Sequence, residues 1–134
     1  MAFLDTSFVI DLLRESENQT AGPATQKLAS LRTSPVRLSI FVCCELEAGL
    51  ARVRDGVHER KRLEALYEMI EIVTPNGLFP KLYGETLARM AQKGTPVPLM
   101  DLLIATTVKQ SADVLITRNL RDFEKIPGLT VIGY

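Results

Sequence analysis

The chain has 134 residues, a length that fits one compact domain with a sizeable apolar core. Its 46% hydrophobic and 24% charged residues are ordinary for a soluble globular protein. The 16 basic and 16 acidic side chains give a formal net charge of zero, so charge neither favours nor excludes a nucleic-acid partner.

Other features of the sequence argue against secretion, membrane insertion and zinc. The first residues lack a cationic region followed by an apolar run, and no stretch is long enough to cross a bilayer. Cys43 and Cys44 are adjacent, which strains a disulfide, and the chain has one histidine and no CxxC pair. We therefore expect a reduced, cytoplasmic protein with no membrane partner, and we interpret Cys44 as a small buried apolar residue.

Strands and helices alternate in the first half of the chain. The predicted elements are a strand over residues 2–4, a helix over 7–14 capped by Thr6 or Ser7, a helix over 24–31, a strand over 36–41 and a helix over 43–53.

The same alternation continues after the turn at Asp55-Gly56. Helical spacing of Leu63, Leu66 and Tyr67 precedes a strand over 70–73. Asn76 is a predicted cap for the next helix. That helix places Phe79, Leu82, Tyr83, Leu87 and Met90 on one face. The remaining predictions are a helix over 99–110 that Pro98 opens, a strand over 114–117, a helical turn over 121–125 and a strand over 130–132.

This alternation predicts a single α/β domain over residues 1–134. We expect a three-layer α/β/α sandwich with a mainly parallel central sheet. Ligands of such sheets bind outside the carboxyl ends of the strands. That edge is therefore the place to look for a functional site.

Four acidic residues fall at strand ends or helix starts, where this edge is expected. Asp5 follows the first strand, Glu45 begins the helix after the second, Asp101 lies in the first turn of its helix, and Asp122 follows the strand over 114–117. The structural alternative for Asp5 and Glu45 is that each caps a helix and has no other role. The alternative for Asp122 is a solvated charge. Asp101 has only apolar neighbours, among which an unpaired carboxylate is costly.

Converging carboxylates repel one another unless cations or protons offset their charge. Sites made only of oxygen ligands favour Mg²⁺ or Mn²⁺ over zinc. Such ions could activate water for phosphodiester hydrolysis. We therefore predict a Mg²⁺ or Mn²⁺ site among these acidic residues.

Three segments then resemble a known family, the PIN-domain nucleases. Phe3-Leu4-Asp5-Thr6-Ser7 resembles their opening, and Cys44-Glu45-Leu46-Glu47-Ala48-Gly49 resembles their central acidic helix. The last 34 residues, including Asp101-Leu102-Leu103-Ile104-Ala105 and Thr117-Arg118-Asn119-Leu120-Arg121-Asp122-Phe123, resemble the VapC toxins of bacterial toxin–antitoxin pairs. The resemblance spans nearly the whole chain, although residues 53–95 match only in helical character.

This resemblance implies a Mg²⁺- or Mn²⁺-dependent endoribonuclease that acts on RNA, possibly transfer RNA. It also implies a homodimer and a cognate antitoxin protein. The resemblance carries over Asp5, Glu45 and Asp101 as catalytic acids and metal ligands, with Asp5 and Asp101 as the favoured direct ligands. Asp122 is a further catalytic candidate, and the supporting residues are Thr6, Thr117 and Asn119. Many relatives have an acid where this chain has Asn119, and the sequence leaves open whether Asn119 or Asp122 completes the site.

Other readings of the sequence remain beside this one. Arg52, Arg54, Arg60, Lys61 and Arg62 surround the Gly56 turn and fit either RNA phosphates or a solvated helix face. Asp11 fits either support of the site or a local hydrogen bond. For the whole chain, the alternatives are a DNA nuclease or other phosphodiesterase, and a PIN-like module that binds RNA or protein without turnover.

Overall fold

The central element is a five-stranded sheet in which every neighbouring pair of strands is parallel, in the order β3-β2-β1-β4-β5. A computed structural model describes all residues, 1–134. The strands are β1 (Ala2–Leu4), β2 (Val36–Ser39), β3 (Glu71–Val73), β4 (Val114–Ile116) and β5 (Thr130–Ile132). The helices are α1 (Thr6–Glu17), α2 (Pro23–Leu31), α3 (Ile40–Ala51), α4 (Val57–Met69), α5 (Phe79–Lys93), α6 (Leu99–Gln110) and α7 (Leu120–Phe123). The predicted α/β/α architecture is confirmed.

Strand β1 lies at the centre of the sheet and brings distant parts of the chain together. Ala2 is in register with Val36 of β2 on one side and with Val114 of β4 on the other. Phe3 and Leu4 of this strand are fully buried, as expected for a strand with a neighbour on each side and helices over the sheet. The residue that follows β1 is therefore fixed at the middle of the carboxyl edge.

The core consists of apolar side chains from the sheet and from the inward faces of the helices. The largest of its fully buried members are Phe3, Leu4, Phe8, Leu38, Ile104, Leu115, Ile116 and Phe123. Removal of this apolar surface from water stabilises the fold. No helix is long and apolar enough to span a membrane.

Several element boundaries in the first half differ from prediction. Helix α1 begins at Thr6, so Asp5 occupies the N-cap position instead of Thr6 or Ser7, although its side chain makes no capping hydrogen bond. Strand β2 ends at Ser39 rather than at residue 41, because the Ser39 hydroxyl accepts a hydrogen bond from the Phe41 amide and starts α3 early. Glu45 consequently lies in the second turn of α3, not at its start.

In the second half of the chain, the start of α5, the buried face of α5 and the start of α6 differ slightly from prediction. Leu78 occupies the N-cap position of α5, and Asn76 instead accepts a hydrogen bond from the Leu78 amide in the turn before it. Leu87 is 46% exposed, so it does not belong to the buried face predicted for α5. Pro98 precedes α6 rather than forming its first residue.

Helix α2 receives a cap that local sequence patterns did not reveal. The Glu15 carboxylate of α1 accepts hydrogen bonds from the Ala24 and Thr25 amides, at 3.1 and 2.9 Å. Burial alone would raise the pKa of Glu15, but hydrogen bonds from the start of α2 lower it. A Cβ atom on Gly22 would come within 2.6 Å of this carboxylate, so any other residue there would displace the Glu15 side chain.

Candidate active site

Asp5 is the most buried acid at the carboxyl edge, with 5% of its surface exposed. Its Oδ2 atom accepts hydrogen bonds from the hydroxyls of Thr117, at 2.7 Å, and Ser7, at 3.1 Å. Thr117 follows β4 and is fully buried, and its backbone amide bonds to Ile132 of β5. Two hydroxyl donors on fixed elements therefore set the orientation of the Asp5 carboxylate.

Glu45 reaches the same edge from α3. Its Oε1 atom accepts a 2.6 Å hydrogen bond from the Thr6 hydroxyl, in the first turn of α1. The Glu45 side chain is partly exposed, so its carboxylate is in contact with solvent although Oε1 is hydrogen-bonded to Thr6. Thr6 therefore contacts an acid of this edge, and its supporting role stays a prediction.

Asp101 lies in the first turn of α6 and is half-buried. Burial raises its pKa to about 6, and the negative charges of Asp5, Glu45 and Asp122 add to the shift. Asp5, Glu45 and Asp122 are therefore near enough to Asp101 for their charges to act on it. We call Asp5, Glu45, Asp101 and Asp122 the acidic cluster.

Asp122 lies at the periphery of the acidic cluster, on the short helix α7. The Asn119 side-chain amide donates to its Oδ2 atom at 3.2 Å, and Lys125 Nζ lies 3.7 Å from its Oδ1 atom. The Asn119 backbone amide donates to the Thr117 hydroxyl at 2.9 Å. Asn119 thus connects Asp122 to Asp5 through Thr117, and Asp122 is the one acid of the cluster with a cationic partner.

The chemistry of the acidic cluster fits a hard divalent cation. Its donors are carboxylate oxygens, and Asp5, Glu45 and Asp101 form no ion pair. No three His, Cys, Asp or Glu side chains are arranged closely enough to enclose a metal ion. Mg²⁺ keeps several of its waters and uses only one or two direct carboxylates, so it does not need such an enclosure.

Asp11 was left open by the sequence, and the structure gives it a specific set of partners. It lies on α1 with 4% of its surface exposed. Its carboxylate accepts hydrogen bonds from Arg14, Arg118 and the Tyr134 hydroxyl. Because Arg118 and Tyr134 are more than 100 residues away in sequence, local patterns gave no signal for this cluster.

The basic residues around the Gly56 turn are partly engaged within the protein. Arg60 makes two hydrogen bonds to Glu47, at 2.8 and 2.7 Å. Arg62 lies 3.3 Å from Glu17 and also donates to the Leu13 carbonyl. These two side chains are thus held by other residues, whereas Arg52, Arg54 and Lys61 are exposed.

The interpretation of Cys44 as a buried residue is wrong. Cys44 is exposed on α3, while its neighbour Cys43 is buried, and both are free thiols. Consecutive residues of a helix point about 100° apart, so only one of the two can face the core. Burial raises the pKa of the Cys43 thiol to about 11, which keeps it protonated.

A parallel sheet with carboxylates gathered at its carboxyl edge defines the class: an α/β protein with an acidic site. The sequence profile of the PIN domain matches residues 2–129. The chain therefore belongs to the PIN domain family, as its motifs indicated.

Characterised relatives cover most of the chain. It is 26% identical over 98 residues to Ribonuclease VapC2 of Rickettsia felis, a match that spans 73% of each chain. It is 29% identical over 102 residues to the tRNA(fMet)-specific endonuclease VapC of Salmonella typhimurium, covering 76% of this chain and 77% of that one.

Solved structures share the whole fold. VapBC from Salmonella typhimurium, crystallised with DNA, superposes with a TM-score of 0.86 at 26% identity, covering 98% of this chain and 96% of that one. VapBC2 from Rickettsia felis, bound to a fragment of its promoter DNA, gives a TM-score of 0.87 at 23% identity, covering 99% and 98%. The second likeness concerns the fold alone.

Proposed function

We propose that this protein is a metal-dependent endoribonuclease that hydrolyses RNA phosphodiester bonds at the acidic cluster, and that it is the toxin of a VapBC-type toxin–antitoxin pair. The observation that carries the proposal is the set of unpaired carboxylates at the carboxyl edge. Charge repulsion of this kind is offset when a divalent cation binds. The ribonuclease names of the relatives support RNA as the substrate.

The cation we propose is Mg²⁺ or Mn²⁺, with Asp5 and Asp101 as its direct ligands and Glu45 as the third acid of the site. When bound, such an ion lowers the pKa of a water molecule and stabilises negative charge on the phosphate. Carboxylate and water oxygens are the ligands that these ions prefer.

The protein's own residues prepare this site before RNA arrives. Thr117 and Ser7 orient Asp5, and Thr6 orients Glu45. With its pKa raised to about 6, Asp101 is mostly ionised at pH 7.5 and becomes neutral below pH 6. Because the Thr117, Ser7 and Thr6 hydroxyls already hold these carboxylates, little reorganisation of the site is needed during the reaction.

The decisive experiment is cleavage of a total transfer-RNA pool with Mg²⁺ or Mn²⁺. Wild type is compared with Asp5→Asn and Asp101→Asn, all purified identically so that a contaminating nuclease is exposed. We expect rates at least about 10³-fold lower in both variants, since each loses a charge from the site while side-chain volume is nearly unchanged. EDTA should also abolish cleavage.

Other outcomes point to the alternatives. Cleavage retained by Asp101→Asn, at matched protein and metal, would refute the site assignment. Preference for DNA or phosphomonoesters over RNA would indicate a different phosphohydrolase. A folded wild type that binds RNA or protein and cleaves no RNA would be a binding module.

The proposed partners are a cognate antitoxin and a second copy of the chain. The antitoxin proposal is supported by the VapBC complexes among the structural neighbours. A dimer is checked by light scattering after size-exclusion chromatography, where a monomer mass across the working concentrations would refute it.

A further inference from the structure

Two arginines share one buried carboxylate beside the acidic cluster. Arg14 Nη2 donates to Asp11 Oδ1 at 2.6 Å, and Arg118 Nη1 donates to both carboxylate oxygens, at 2.9 and 3.0 Å. The Tyr134 hydroxyl adds a 2.6 Å hydrogen bond to Oδ2. We call Asp11, Arg14, Arg118 and Tyr134 the arginine clamp.

The arginine clamp holds more positive charge than its carboxylate needs. Arg118 alone would neutralise Asp11, so Arg14 leaves a net charge of +1. Both arginine side chains are well exposed, at 58% for Arg14 and 59% for Arg118, whereas Asp11 is 6% exposed. Their remaining N–H groups make no hydrogen bonds within the protein. The clamp therefore presents two oriented guanidinium groups to solvent.

Arg118 also lies beside residues of the carboxyl edge of the sheet. It follows Thr117, which donates to Asp5, and its backbone amide donates to the Ser7 hydroxyl at 3.3 Å. Asp11 follows Asp5 by six residues on α1, or about 9 Å along a helix axis. The Tyr134 ring packs edge-on against buried Phe8, with centroids 4.8 Å apart, and fixes the other side of the clamp.

We propose that Arg118 and Arg14 bind phosphate groups of the RNA strand next to the scissile bond. This inference rests on the proposed nuclease function and names how its substrate is held. A phosphate approaching the acidic cluster is repelled until cations attract it, and the chain has no overall positive charge to do so. The fork of guanidinium N–H groups matches phosphate oxygens in geometry and charge.

The test is equilibrium binding of fluorescently labelled transfer RNA in EDTA, followed by anisotropy between about 50 and 200 mM KCl. We expect Arg118→Ala to weaken binding by about three- to tenfold and to reduce the slope of log affinity against log salt by about 0.7. Arg118→Lys should keep most of the slope because it keeps the charge. In cleavage assays, Arg118→Ala should raise KM while kcat stays within about twofold.

The control variants separate phosphate binding from a structural role. Arg32→Ala removes an exposed arginine just before β2, at the opposite edge of the sheet, and should leave binding unchanged. Tyr134→Phe removes a hydrogen bond to Asp11 but keeps both cations, so it should lower Tm without reducing the salt slope.

Each result decides for or against the clamp as a phosphate site. An unchanged salt slope in Arg118→Ala, an equal loss in Arg32→Ala, or no salt-dependent RNA binding by wild type overturns it. If wild type cleaves RNA while Arg118→Ala matches it in binding, only this inference fails. If wild type binds RNA through Arg118 but cleaves none, the proposed catalysis fails and the phosphate site stands.

Discussion

At the amino edge of the sheet, Asp113 lies 3.5 Å from Arg37, which also bonds to Glu71 at 2.9 Å. At the carboxyl edge, Asp5 and Asp101 have no such cation. Both edges belong to the same five short strands, yet the acids of the amino edge have a cationic partner within the protein and Asp5, Glu45 and Asp101 have none. The compensated edge needs only the protein, whereas the uncompensated edge favours a cation from outside. Substitutions at the two edges should therefore have different effects on stability and on activity.

The largest effect is expected from Arg37→Met, which removes the cation at the amino edge. Asp113 Oδ2 is buried and accepts no hydrogen bond, so it depends on the nearby charge of Arg37. We expect the free energy of unfolding to fall by about 2 kcal/mol, since Asp113 Oδ2 loses its cation and only the Met1 amine, 4.0 Å from Oδ1, remains. Urea denaturation at pH 7 measures this change, with exposed Arg32→Met as the control. Equal stabilities for the two variants would contradict it.

The next effect concerns the pH dependence of stability at the carboxyl edge. The pKa of Asp101 is about 6 in the folded protein, against an ordinary value of 3.8 for aspartate. Between these pH values the folded state binds the extra proton, so stability falls as pH rises through this window. After allowance for partial exposure, the loss is about 1–2 kcal/mol.

Asp101→Asn should remove this loss and be more stable than wild type above pH 6. Unfolding in EDTA at pH 4.5 and 7.5 provides the comparison. Identical pH dependence in the two proteins would show that the pKa of Asp101 is not raised in the metal-free fold.

Thr117→Val tests how far the orientation of Asp5 matters. The substitution keeps the shape of the side chain and removes the 2.7 Å hydrogen bond to Asp5. We expect kcat/KM to fall about tenfold, or about 1.4 kcal/mol. Thr106→Val is the matched control, because buried Thr106 bonds only to the Leu102 carbonyl of its own helix. Similar activity in both variants would assign Thr117 a packing role.

The smallest effect is expected from Asp122→Asn. Asp122 is peripheral, and Asn119 and Lys125 already engage its carboxylate. We expect activity to fall only about threefold, well short of the loss for a direct metal ligand. Asn119→Asp should likewise shift activity modestly. If Asp122→Asn proves as damaging as Asp101→Asn, Asp122 is the fourth ligand.

The sequence predicted the elements that have a clear local signal. Apolar runs at β1 and β5 gave the observed strand bounds, and the Pro98 break gave the bounds of α6. Asp5 is placed at the carboxyl edge because it follows a strand, and Asp101 because it lies in the first turn of α6, the helix that returns from this edge to the start of β4. The boundary between β2 and α3 was missed, since apolar residues 40–42 suit either structure and the Ser39 hydroxyl decides between them.

What escaped the sequence depends on residues far apart in the chain. The contacts of Asp11 with Tyr134 and of Thr117 with Asp5 join positions 123 and 112 residues apart. No local spacing encodes such pairs. Likewise, the two interpretations of Arg60 and Arg62, as contacts to RNA phosphates or as a solvated helix face, did not include the ion pairs with Glu47 and Glu17, which α4 meets only after folding.

The central position of β1 has a consequence for how the protein is made. Its first strand cannot complete its pairing until β4 exists, because Phe3 pairs with Leu115. Thr117, which orients Asp5, comes later still. A chain emerging from the ribosome thus cannot assemble the edge until at least its first 117 residues are free. Pairing across such long separations slows folding. Synthesis therefore delays the nuclease we propose until β4 and Thr117 have left the exit tunnel.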